Sequence, residues 1–97
     1  MRIRYTPNAR DNIAEIREYI AHENPHAARY VVTHVRQQTL TLTDYPNAGR
    51  LGRIEGTREL VINHYPYIVA YRVEANEVQI LAVVHTSRRW PESFGVA

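Results

Sequence analysis

The apolar residues of this chain change their spacing once, from a helical period before Asp44 to alternation after Thr57, and that change dictates helices first and a sheet afterwards. In the first half Ala9, Ile13, Ile16 and Ile20 recur at i, i+4, i+7 and i+11, the stripe of an amphipathic helix. Thr6 and Pro7 mark its start, because a threonine hydroxyl caps free N–H groups and proline lacks the N–H that a first helical turn leaves unused. Asn24 and Pro25 repeat the signal, and Ala28, Val31, Val32, Val35, Thr39 and Leu42 carry a second stripe to about Asp44. Two helices so closely linked fold back as an antiparallel hairpin. Ahead of them "RIRY" reads as a short strand.

After Thr57, "RELVI", "YIVAYRV" and "EVQILAVVH" read as three strands joined by "NHYP" and "EAN", an antiparallel meander. The connecting "DYPNAGRLGRIEGT" holds three glycines and a proline without period, and reads as a loop. In the last strand Val78, Ile80, Ala82 and Val84 alternate with Leu81 and Val83, so both faces of the sheet require cover. The helical hairpin covers one. Nothing obvious remains for the other, the face of Ile68, Ala70 and Arg72, which is therefore expected to be open. The expected fold is α+β: a short N-terminal strand and a helical hairpin packed on one face of a mainly antiparallel sheet, in a single domain over residues 1–97.

Absences narrow the chemistry. The chain has no cysteine, and all twelve of its Lys/Arg cations are arginines, so thiol nucleophiles, Schiff-base lysines and a Walker A lysine are excluded. No stretch is apolar enough to span a membrane, and "MRIRYTPNAR" precedes no apolar signal core, so a cytoplasmic protein is expected. "HENPH" at 22–26 has the H-E-x-x-H spacing of zinc proteases. Pro25 breaks the continuous helix that such a site needs, so a turn is expected there and no metal or other cofactor. "GRLGRIEG" follows no strand, opens no helix and lacks the phosphate-binding lysine, although Arg50 and Arg53 are placed to touch polyanions. Tyr65, Tyr67 and Tyr71 suit packing on a half-buried strand.

"HTSRRWP" at 85–91 closes the most apolar strand with His85, Arg88, Arg89 and Trp90. A histidine beside guanidinium groups suits acid/base work at a phosphodiester, and equally suits holding a partner's carboxylates. Arg72, within an apolar strand, implies a partner or an open surface, since an unpaired buried charge is costly.

The succession "RELVINHYPYIVAYRVEANEVQILAVVHTSRRW", after a short strand, a helical hairpin and a glycine-bearing loop, resembles the RelE/ParE toxins of bacterial type II toxin-antitoxin modules over roughly Arg2 to Trp90. The resemblance implies a growth-inhibiting toxin neutralised by a cognate antitoxin that covers the open sheet face, its amphipathic, acidic segment meeting Arg58, Arg72 and Arg88. RelE-like members cut mRNA on the ribosome with basic residues on the central strands. Here Glu59, Val61 and Ile68 stand where those bases are expected, leaving only His85 and Arg88 for catalysis. ParE-like members poison DNA gyrase without catalysis of their own, and "REL" with "H-x-x-R-R-W" is closer to that branch. The expectation is thus a non-enzymatic gyrase poison using Arg58, Arg72, His85, Arg88 and Arg89 as target or antitoxin contacts. Ribosome-dependent mRNA cleavage and a non-toxic antitoxin-binding module are the alternatives.

Overall fold

A computed structural model describes residues 1–94. Strand β1 (Arg2–Tyr5) leads into helices α1 (Pro7–Glu23) and α2 (Pro25–Leu40), a 3₁₀ turn (Thr41–Thr43), and strands β2 (Arg50–Leu51), β3 (Arg58–Val61), β4 (Tyr67–Glu74) and β5 (Glu77–His85). The sheet order is β1-β5-β4-β3-β2, with β1 parallel to β5 and every other pairing antiparallel. Both predicted helix starts are present. Thr6 accepts from the Ala9 N–H at 3.2 Å and Asn24 from the Ala27 N–H at 3.1 Å, each with proline following. His22 lies in the last turn of α1 and His26 follows Pro25 in α2, so the helix breaks inside "HENPH".

The helical hairpin packs its two stripes on one face of the sheet. Ile13, Val31, Val35 and Leu42 meet Val69, Tyr71, Val78, Ile80 and Val83 in the main core. Each fully buried side chain of this size contributes about 1.5–3 kcal/mol. Tyr71 is wholly enclosed, and its hydroxyl donates to the Pro46 carbonyl and accepts from the Gly49 N–H, both at 2.8 Å. The connecting loop is thereby tied to the core. A β-carbon at residue 49 would lie 2.7 Å from the Tyr71 ring, so glycine is needed for this approach.

Three details depart from the sequence expectation. Within "GRLGR" the two-residue strand β2 pairs with β3, too short for alternation to reveal. Between Ala70 and Tyr71 the β4–β5 register shifts, Ala70 pairing with Ala82 and Tyr71 with Ile80, which leaves Leu81 as a bulged extra residue. Val78 and Ile80 therefore share the helix side with Val83, while Leu81 and Ala82 both join the opposite cluster. One extra residue inverts the faces of everything beyond it, His85 included.

The expected open face is the third. It is covered in part by the segment after β5: Phe94 buries itself with Ala70, Leu81 and Ala82, and Trp90, Ile54 and Val84 pack around them. The Trp90 and Phe94 rings meet edge to face at 6.1 Å. Two aromatic rings on an irregular segment supply the missing cover, and no periodicity announces them.

Replacing Tyr71 by Phe removes the loop's anchor and leaves the buried Gly49 N–H without its acceptor, which should cost about 1–3 kcal/mol. Urea unfolding should show a lower midpoint at unchanged slope. An unchanged midpoint would show that the loop is held by other means.

Candidate contact cleft and the Glu59 clamp

Strand β5 has nine residues and its outer neighbour β1 only four, so their pairing stops at Tyr5 and Ile80. The chain then turns into α1, whose polar side chains take over from the missing strand. Thr6 Oγ1 donates to the Ile80 carbonyl at 2.9 Å, Asn8 Nδ2 to the Leu81 carbonyl at 2.9 Å, and Asn12 Oδ1 accepts from the Val83 N–H at 3.1 Å. Beyond them lies a cleft of about 510 Å³, walled by α1 through Asn12, Glu15 and Tyr19 and by the segment carrying Ser87, Arg88 and Arg89. Tyr67 and His85 line it as well, their rings edge to face at 5.3 Å. Burial raises the Tyr67 phenol above its usual pKa while the Arg88 charge opposes part of that rise, so it remains a neutral hydroxyl near pH 7.

The His85 ring has a defined tautomer. The Ser87 N–H donates to Nδ1 at 3.1 Å, with Ser87 Oγ 2.7 Å from the same nitrogen. Nδ1 therefore carries the lone pair and Nε2 the proton in the neutral ring. In that form the ring's acceptor nitrogen is already engaged, and the group it offers a ligand is an N–H donor. Arg88 and Arg89 are exposed.

On the sheet's other face the Glu59 side chain is only 3% exposed. Arg50 Nη2 meets Oε1 at 3.0 Å, while the Arg53 backbone N–H and Nε reach Oε2 at 2.9 and 3.1 Å. Burial alone would raise the Glu59 pKa, but these hydrogen bonds outweigh it and hold the carboxyl below its ordinary value. The Arg53 guanidinium also stacks on the Trp90 ring, 3.6 Å from its centroid. Glu59 thus links the loop to the segment that covers the second face.

The five residues singled out in the sequence do not form one site. His85, Arg88 and Arg89 come together at the cleft. Arg72 sits opposite Gln79, five residues along β4 from Tyr67 and so about 16 Å away at about 3.3 Å per residue. Its Nε donates to Gln79 Oε1 at 2.6 Å and lies 3.7 Å from Glu74. Arg58 pairs with Tyr71 on the helix side and donates to the Gly49 carbonyl at 2.8 Å, which makes it a loop brace. Arg50 and Arg53, read as polyanion contacts, are clamped on Glu59. Sequence reasoning passed over Asn8 and Asn12, whose i, i+4 spacing just past a helix cap was the available signal. Among the described residues no group of three His, Cys, Asp or Glu side chains is placed to hold a metal, and no helix is long and apolar enough to cross a membrane.

Residues 3–90 match the family described as the ParE toxin of the type II toxin-antitoxin system parDE. The chain belongs to the ParE toxin family. It is 43% identical over 91 residues to Y4kP of Sinorhizobium fredii, a protein whose name marks it provisionally as a toxin, with 94% of each chain covered. To toxin RelE2 of Caulobacter vibrioides it is 32% identical over 84 residues, covering 87% of this chain and 93% of that one. A chain from the chromosomal ParDE toxin-antitoxin system of P. aeruginosa superimposes with a TM-score of 0.81 at 26% identity, over 90% of this chain and 97% of that chain. The fold of this ParE-family toxin, two helices against a five-stranded mixed sheet, is the one that match shares.

Because the folded Glu59 pKa lies below its unfolded value, the clamp stabilises the toxin fully above about pH 4.3 and loses that contribution as pH falls through the folded pKa. Glu59→Gln should cost on the order of 1–3 kcal/mol at pH 7, and the gap to wild type should close in acid. Denaturant melts across pH would check this. A gap independent of pH would contradict it.

Proposed function

We propose that this ParE-family toxin inhibits growth by poisoning DNA gyrase in the cytoplasm, through the cleft that carries His85, Arg88 and Arg89, and that a cognate antitoxin neutralises it. The observation that carries the reading is the state of Glu59. Where ribosome-dependent nucleases are expected to present basic groups, this chain has a buried carboxylate that consumes two nearby arginines, flanked by the apolar Val61 and by Ile68, itself buried. Cleaving a phosphodiester needs donors aimed at the charge that develops on phosphorus. The second face offers an acid instead, and Trp90 and Phe94 cover part of it. His85 has its acceptor nitrogen engaged by Ser87, which suits donation to a partner's oxygen better than proton abstraction.

An antitoxin is the partner that family membership implies. Its acidic segment meets Arg88 and Arg89, which form no ion pair among the described residues, more readily than Arg58 or Arg72, which already hold partners within the chain.

Supercoiled plasmid incubated with gyrase and the toxin should accumulate as cleaved DNA, and no cleavage should appear without gyrase. Arg88→Glu combined with Arg89→Glu should weaken the effect by about tenfold or more, as for loss of two close charge contacts. Undisturbed gyrase at saturating toxin, together with codon-positioned cuts in translated mRNA, would replace this reading with the RelE-like one.

A further inference from the structure

The turn between β3 and β4, "NHYP", is tied to helix α2 by two side chains. Gln38 Oε1 accepts from the Asn63 N–H at 3.0 Å, and His34 Nε2 lies 2.8 Å from the Asn63 carbonyl. A carbonyl oxygen only accepts, so Nε2 carries the proton and the lone pair of the neutral His34 ring is on Nδ1. Tyr65 fixes that ring from the side, edge to face at 5.2 Å. Between Asn63 and Tyr65, His64 has a left-handed backbone, φ 74°, which few residues with a β-carbon adopt. The turn so formed leaves the exposed His64 ring 5.7 Å from the ring of His34. Neither His34 Nδ1 nor either His64 ring nitrogen hydrogen-bonds another side chain or backbone group among the described residues. Two imidazoles from distant parts of the chain thus stand side by side with lone pairs unused.

We propose that His34 and His64 form a binding site for a divalent transition-metal ion of the zinc and copper type, which pins the β3–β4 turn to α2. A metal-bound imidazole almost always donates its other N–H to a carbonyl or carboxylate, which fixes the tautomer and aims the ring. The Asn63 carbonyl already does this for His34. With metal–nitrogen bonds of about 2.0–2.1 Å, two imidazoles on one ion have ring centres about 5 Å apart. The pair is close to that separation, and no hydrogen bond among the described residues holds the exposed His64 ring back. Imidazole suits Zn²⁺, Ni²⁺ and Cu²⁺, whereas Ca²⁺ and Mg²⁺ demand oxygen ligands. Among the described residues no third His, Cys, Asp or Glu joins the pair, so water completes the shell and the ion is an exchangeable effector. Its effect reaches the cleft along the turn. The Pro66 carbonyl accepts from the Thr86 N–H at 2.8 Å, and Tyr67 follows with its ring against His85. Metal at His34 and His64 therefore stiffens one wall of the cleft from a site that shares no residue with it.

The test uses the full chain with ZnCl₂ and CuCl₂ as probes, followed by NMR. Zinc should shift His34, Asn63, His64 and Tyr65 saturably and slow exchange of the Asn63 amide, since the turn opens less often. Copper at substoichiometric amounts should broaden the same residues before those around His22, His26 or His85, a measurement on the wild-type chain that needs no variant. Two substitutions then separate ligation from folding. His64→Asn keeps a residue that tolerates left-handed backbone, and His34→Gln keeps an N–H that can donate to the Asn63 carbonyl. Each should weaken zinc binding by no less than the ~10-fold that loss of even an outer-shell partner typically costs. A variant carrying His22→Gln and His26→Gln should bind zinc as wild type does. Copper broadening centred on His22, His26 or His85, undiminished zinc affinity in either single variant, or no binding at millimolar zinc would overturn the proposal.

Discussion

The structure turns on a mismatch of strand lengths. β5 needs neighbours over nine residues, β4 supplies one side, and β1 supplies the other over only four. A strand edge left bare within a fold costs hydrogen bonds and invites unwanted pairing. Here Thr6, Asn8 and Asn12 absorb most of that cost from the first turns of α1, which also fixes how the helical hairpin sits on the sheet. What they leave unmet becomes the cleft. The bulge at Leu81 completes the arrangement by turning His85 to the α1 side, beside Tyr67.

The partial cover of the second face is held by a different kind of bond. Glu59 costs energy to bury, and it is tolerable because Arg50 and Arg53 share its oxygens while keeping their outer ends in solvent. Arg53 carries the constraint onward to Trp90, and Trp90 to Phe94. The same arginines that a phosphate-binding surface would use are thereby spent on holding the loop and the covering segment together. The arginines that line the cleft are Arg88 and Arg89.

Much of the architecture was legible because it rests on local rules. Thr6-Pro7 and Asn24-Pro25 cap helices by the same hydrogen bond in any fold, and the stripes from Ala9 to Leu42 bury as their spacing requires. The meander followed from alternation. What escaped depends on register and on distant pairs: the Leu81 bulge leaves no mark in an apolar run, and Phe94 buries only because Ala70, Leu81 and Ala82 leave room for a ring. Of the anticipated contact residues, the three at the end of β5 and just beyond it meet at the cleft. Arg58 and Arg72 lie one residue apart across β3 and β4 yet on opposite faces, a separation that strand pairing alone determines.

The claim that the cleft, and not the sheet face, does this toxin's work is tested most directly by growth inhibition after induction without antitoxin. Cells making the Arg88→Glu, Arg89→Glu variant should grow, while an Arg72→Glu variant accumulating to the same level should arrest them as wild type does. Arrest by the first variant and growth with the second would place the working surface on the sheet and contradict the account.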